Sequence, residues 1–194
     1  MLLFLGKKKI NFFNYLKSND IKFFNTDKNI NNKNKKFFKK FKILISFNYK
    51  YKIEKKITKY FHGNCFNCHI SYLPWNAGAN PNFWSFRNNT KKGITIHLLN
   101  EKIDKGPIIF QKRLYFNKNK ETLKSSYFKL NSELENLLIM KFEKILYKNF
   151  KTKKNLTKAF HKKKEFLYFK NRINKIYNMK INILLNKIQK LKND

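Results

Sequence analysis

Arginine, glycine and proline are scarce in this chain. Of its 45 basic residues only Arg87, Arg113 and Arg172 are arginines, and its 194 residues include five glycines and three prolines. Arginine supplies the planar fork that reads phosphates and bases, so its near-absence argues against a dedicated nucleic-acid surface. Acidic residues are few as well, 11 against 45 basic ones, which leaves a net charge of +34. No apolar run approaches the length of a membrane span, so no membrane partner is expected. The opening MLLFLGKKK puts charge after its apolar stretch, the reverse of a secretory signal, and a soluble cytoplasmic protein is expected. The two cysteines are expected to be buried thiols in a reducing compartment.

What is abundant explains the charge. Lys, Asn, Ile and Phe have A/T-rich codons, whereas the scarce Ala, Gly, Pro and Arg have G/C-rich ones. The lysines therefore read as compositional drift on solvated positions, with weak non-specific RNA binding as a consequence of the field. Hydrophobic residues make up 42% of the chain, enough for one domain with a substantial core and too many for a disordered tail. Against the drift, all three prolines, both tryptophans, both cysteines, four of the five glycines and three of the four histidines fall between His62 and Pro107. That window is where a functional site is expected.

Strand-like runs alternate with helical spacing. Leu2–Leu5, a segment at Ile21–Phe24 and Lys42–Phe47 read as strands, with a helix over Ile10–Leu16 and an Asn/Lys-rich connection over 25–40 around a short helix. Phe66–Ser71, Gly93–Leu99 and Ile108–Phe116 are further strands. Pro81–Phe86 reads as a helix capped by Asn80, and 121–148 as a long helix capped near Thr122 and Ser125. The fold expected is α/β, a mostly parallel Rossmann-like sheet flanked by helices. Residues 1–150 form the expected catalytic domain and 151–194 a Lys-rich helical extension. In that extension Tyr177, Ile181, Leu184, Ile188 and Leu191 keep an a/d spacing, which fits either a helix packed on the domain or a dimer contact. Monomer and homodimer both stay open.

Within the window, Asn67 and His69 stand two apart on a strand and so share a face. Asp104 lies in a turn between two later strands. An amide donor, an imidazole and a carboxylate together suit attack of an amine on a carbonyl: the first two stabilise the oxyanion and the third manages the proton. His62, Cys65, Cys68 and His69 also give a zinc-like H-x2-C-x2-C-H, but four ligands crowded into eight residues suit a structural site poorly, and no metal is expected.

The string Asn67-Cys68-His69-Ile70-Ser71-Tyr72-Leu73-Pro74 resembles the N-x-H-x-S-x-L-P signature of the formyltransferase family. The resemblance continues through Trp75-Asn76-Ala77-Gly78-Ala79 and Asn80–Trp84, and resumes from Gly93 through Asp104-Lys105-Gly106-Pro107 to Gln111. It implies transfer of a formyl group from 10-formyltetrahydrofolate to a primary amine on a small molecule, without a metal, with Asn67, His69 and Asp104 as the catalytic residues. Phe47, Tyr49, Tyr51, Leu98, Leu99 and Ile103 would line the folate pocket. Ser71, Leu73, Pro74, Trp75, Gly78 and Asn82 would face the acceptor. Ala77 stands where many members have Arg, and Lys105 where they have Thr; Lys105 is expected to point to solvent or to lower the pKa of Asp104. Gly6-Lys7-Lys8-Lys9 lacks the phosphate loop of glycinamide ribonucleotide enzymes, and residues 151–194 are shorter than the tRNA-gripping domain of methionyl-tRNA enzymes. A nucleotide-linked amino sugar is therefore the expected acceptor, methionyl-tRNA the alternative within the family, and a non-catalytic RNA-binding protein the alternative outside it.

Overall fold

The computed structural model describes residues 1–191; residues 192–194, the end of the expected extension, lie outside the described part. A six-stranded sheet forms its centre. β1 (Leu2–Leu5), β2 (Phe23–Thr26), β3 (Ile43–Phe47) and β4 (Cys65–His69) run parallel, and β6 (Lys92–Leu98) pairs antiparallel with both β4 and β7 (Ile108–Leu114). The order across the sheet is β2-β1-β3-β4-β6-β7. A two-residue strand, β5 (Ala77–Gly78), stands apart from it.

The continuous apolar runs of β1 and β3 reflect burial on both faces, as a parallel sheet clad in helices requires. Leu2 and Phe4 point into a core closed by α1 (Ile10–Ser18) and α5 (Leu123–Leu146). Leu3 and Leu5 point the other way, into a cluster with Phe38 of α2 (Lys35–Phe38) and Ile57 of α3 (Lys55–Tyr60). α3 has no counterpart among the sequence expectations, because its six residues are too few to display a period. β2 begins two residues later than expected and is only half-buried, as suits a sheet edge. α5 opens on a reciprocal cap: the Thr122 hydroxyl accepts from Ser125 N and the Ser125 hydroxyl accepts from Thr122 N.

Beyond residue 150 the chain returns to the domain. Lys153 forms an antiparallel bridge with Ile108, and β8 (Phe160–His161) pairs in parallel with β5. α6 (Lys163–Arg172) and α7 (Ile181–Lys190) then cover α4 (Pro81–Arg87). Phe83, Trp84 and Phe86 of α4 share a second core with Phe166, Phe169, Ile181, Leu184 and Ile188. The a/d residues of α7 therefore pack on the domain; Tyr177 precedes the helix and is 42% exposed.

Candidate active site

The end of β4 brings polar groups together. Asn67 and His69 share a face of that strand, and β6 runs antiparallel beside it with His97 opposite Asn67. His97 is fully buried. The turn after β6 carries Asp104 back over this pair, with Asp104 in the left-handed region at φ 52°. Gly106 makes that return possible, since a Cβ there would lie 1.7 Å from the Leu98 carbonyl oxygen. Asn67 Nδ2 donates to Asp104 Oδ1 at 3.1 Å and lies 3.1 Å from His97 Nε2. Gly78 N donates to Asp104 Oδ2 at 2.8 Å. His69 Nε2 is 3.7 Å from Asp104 Oδ2 and 3.5 Å from the Asn76 carbonyl. Both neighbours only accept, so Nε2 of His69 carries its hydrogen.

Burial lowers the pKa of His69, because the apolar surroundings penalise the imidazolium; the charge of Asp104 opposes this without overcoming it. Near neutral pH the imidazole is uncharged. Burial alone would raise the pKa of Asp104, but His69, His97 and the Gly78 N–H together hold it below the ordinary carboxylate range. The attraction of His69 and of His97, whose Nε2 atoms lie 3.7 Å and 3.5 Å from the carboxylate, operates only when those nitrogens carry a proton on a charged ring, whereas the Gly78 and Asn67 donors act at every pH. Asp104 is thus a buried anion held by amide donors, beside a neutral imidazole. Lys105 is exposed and is not among the groups acting on Asp104, as expected of a side chain directed to solvent.

Asn67, His69, Gly78 and Asp104 line a cavity of about 1200 Å³. One part of its wall comes from the β3–α3 connection and the β6–β7 turn, with Asn48, Tyr49, Tyr51, Ile53, Leu99 and Ile103. The other comes from the β5–α4 corner, the start of α5 and the C-terminal segment, with Gly78, Asn82, Lys124, Phe128, Phe160, Lys162, Lys163, Phe166 and Tyr177. Tyr49 presents only its ring, because its hydroxyl donates to Lys28 O and accepts from Ile30 N. Asn80 occupies the position before α4 as expected, but at φ 53° its side chain does not cap the helix; it lines the cavity.

Several residues expected at the site lie behind it. Phe47 is fully buried in the core under the Lys9 ammonium, 4.1 Å from the ring centroid, and Leu98 packs on the same core. The Ser71 hydroxyl donates to Trp75 O, and Leu73 joins Ala77 and Ile108 in a small core. Pro74 follows a cis peptide bond, and Trp75 lies beneath Lys158. Thr95 and Gln111 hold this turn: Thr95 donates to Ser71 O and accepts from Leu73 N, while Gln111 donates to Leu73 O. The signature string is thus largely scaffold for the few groups that reach the cavity.

The segment 153–161 forms a strap that sequence reading missed. Asn155 Nδ2 donates to the carbonyls of Asp104 at 2.8 Å and Gly106 at 3.1 Å. Ala77 N and Ala79 N donate to Ala159 O and His161 O, and Lys158 N donates to Pro74 O. Ala77 is fully buried beneath the strap, where a larger side chain such as Arg would find no room. His97 escaped notice too, although a histidine in a window of retained rare residues was a usable signal. The zinc-like spacing does not survive folding. Cys65 and Cys68 sit on opposite faces of the sheet in different cores, and burial pushes both thiols up in pKa. Among the described residues no group of three His, Cys, Asp or Glu side chains is arranged to hold a metal, and no helix is long and apolar enough to cross a membrane.

The chain is similar to several known proteins. Over 76 residues, 38% of this chain and 24% of the relative, it is 40% identical to methionyl-tRNA formyltransferase of Thermodesulfovibrio yellowstonii. Over 48 residues, 25% of this chain and 20% of the relative, it is 40% identical to dTDP-4-amino-4,6-dideoxyglucose formyltransferase of Mycobacterium bovis. The matched stretches thus span a quarter or less of these curated relatives. Among solved structures, the formyltransferase PseJ from Anoxybacillus kamchatkensis, in complex with UDP-4,6-dideoxy-4-formamido-L-AltNAc and tetrahydrofolate, superposes with a TM-score of 0.88. That likeness covers 94% of this chain and 96% of PseJ at 28% identity. The family model described as formyl transferase matches residues 7–141, more than half of the sequence. The chain belongs to the formyl transferase family.

Proposed function

We propose that this protein transfers a formyl group from 10-formyltetrahydrofolate to the amine of a nucleotide-linked amino sugar. The observation that carries the reading is the meeting of Asn67, His69 and Asp104 on the wall of one cavity. The wall formed by Tyr49, Tyr51, Ile53, Leu99 and Ile103 suits a flat bicyclic ring, with loop backbone at its edges. The opposite wall, with Lys124, Lys162 and Lys163 among Phe128, Phe160, Phe166 and Tyr177, suits a diphosphate joined to a base and a sugar. The sugar bound to PseJ is of this class.

10-Formyltetrahydrofolate supplies an activated formyl carbon. Asn67 and His69 donate N–H groups to the formyl oxygen as it gains charge, where loss of one such donor costs about 10²–10³ in rate. Asp104, already ionised, accepts the proton that the attacking nitrogen releases and passes it to the departing folate nitrogen. The products are a formamide and tetrahydrofolate. Gly78 N, Asn155 and the strap hold the carboxylate where it can act.

Methionyl-tRNA is the second reading, supported by the identity to the Thermodesulfovibrio enzyme. The two separate in one experiment. The protein is incubated with 10-formyltetrahydrofolate and either the 4-amino precursor of the PseJ-bound sugar or charged initiator tRNA, and mass spectrometry follows formyl gain. Formylation of the sugar supports the proposal, formylation of the tRNA replaces its acceptor, and transfer to neither by folded protein refutes both.

A further inference from the structure

We infer that His97 is a positioning residue for this reaction, holding the Asn67 carboxamide with its nitrogen toward the reacting centre. The inference rests on the role proposed above for Asn67. His97 is fully buried and faces Asn67 across the β4–β6 ladder. Its Nδ1 lies 2.8 Å from the Leu98 carbonyl, which can only accept, so Nδ1 carries the hydrogen. In the uncharged ring Nε2 is left with its lone pair; it accepts one N–H of Asn67 at 3.1 Å and lies 3.5 Å from Asp104 Oδ1. The other N–H goes to Asp104 Oδ1 at 3.1 Å.

Two acceptors on one amide nitrogen decide which way the carboxamide faces, and they behave differently during the reaction. When Asp104 takes a proton from the amine it loses its charge and weakens as an acceptor. The N–H it held is then released toward the formyl oxygen as that atom becomes negative. A protonated carboxyl can also donate, and on its own would tolerate an amide turned by half a rotation, with the Asn67 oxygen facing the oxyanion. His97 prevents that turn. Its Nε2 can only accept in this tautomer, so it keeps the amide nitrogen in place while the carboxylate changes state. Gly106 permits the arrangement, since a Cβ there would lie 1.7 Å from Leu98 O and 3.4 Å from His97 Nδ1.

Two measurements test this. Nitrogen-15 spectra of the imidazole rings in the wild-type protein should show His97 as the Nδ1–H tautomer; the Nε2–H tautomer would overturn the inference without any assay of turnover. The second is a double-mutant cycle with the 4-amino sugar nucleotide used above, or with initiator tRNA if that is the acceptor formylated. His97→Phe should lower kcat roughly tenfold, the value of one hydrogen bond, with the KM for each substrate changed by no more than about twofold. His97→Gln, which offers an acceptor near the place of Nε2, should recover most of that loss. In an Asn67→Ala background His97→Phe should cost nothing further. An equal cost in both backgrounds, or a change in KM alone, would show that His97 does not act through Asn67. If Asn67→Ala itself leaves turnover intact, the reading of the site fails rather than the coupling.

Discussion

Asp104→Asn alters the candidate site more sharply than its size suggests. The backbone should stay in place, because asparagine tolerates a φ of 52° as well as aspartate does. The hydrogen bonds should not. Oδ1 accepts from Asn67 and Oδ2 from Gly78, whereas a carboxamide has a single acceptor end. Whichever way it turns, its NH2 meets a buried donor, at a cost of about 1–3 kcal/mol, and the remaining bond loses its charge assistance, roughly another 1 kcal/mol. For a chain of this length about 2–4 kcal/mol corresponds to a fall in thermal midpoint of roughly 5–15 °C. Because the folded-state pKa of Asp104 is depressed, its contribution is complete above its unfolded value near pH 4 and fades as pH falls below that. The stability gap between wild type and Asp104→Asn should therefore narrow below about pH 4. Turnover should fall by about 10²–10⁴ at a temperature where both proteins are folded, as expected for removal of a proton acceptor. Calorimetry with single-turnover kinetics reads both quantities. A variant that is destabilised as stated but turns over at the wild-type rate would refute the proton-accepting role.

Three further outcomes are expected. The pKa of His69 is lowered by burial, so the unfolded chain binds more protons than the folded one below about pH 6.5, and wild-type stability should fall as pH drops through that region. His69→Gln should flatten this slope between pH 7.5 and pH 5 in urea unfolding, and an unchanged slope would mean the ring is not titrating as described. Leu184→Ala empties a buried position in the α4–α6–α7 core and should cost about 2–5 kcal/mol. The size of this loss should not vary with protein concentration, since the residue packs within the chain. Lys153→Ser should leave turnover and stability near wild type. Lys153→Pro removes the N–H that donates to Ile108 O at 2.7 Å and should lower both.

The elements legible in advance were those whose side chains must match their surroundings. β1 and β3 are buried on both faces, so their sequences are unbroken apolar runs, and α5 covers one side of the sheet, so its leucines recur at helical spacing. Asn67, His69 and Asp104 stood out because the resemblance to the formyltransferase signature singled them out, with the first two on one strand face and the third in a turn. The binding residues were less legible. A family string marks both the groups that reach a cavity and the groups that shape the turn behind it, and Ser71, Leu73, Pro74 and Trp75 proved to be the latter. Nothing in local spacing separates the two kinds, because the distinction depends on which side of the β4–β5 turn faces the empty volume.

The strap failed to register for a more basic reason. Lys153, Lys158, Ala159 and His161 engage the domain through main-chain N–H and carbonyl groups, which almost any residue can supply. Side-chain composition in 151–161 was therefore free to follow the drift toward lysine, and it came to resemble a solvated tail while holding the Asp104 turn in place. Asn155, whose amide reaches the carbonyls of Asp104 and Gly106, and His161, whose ring stacks on Trp84 at 4.1 Å, are exceptions. A lysine-rich stretch in this chain thus says little about nucleic acid and little about disorder. The same drift that erased the strap's signal made the retained histidines and glycines of the window conspicuous, since those positions depend on a side chain, or on the lack of one.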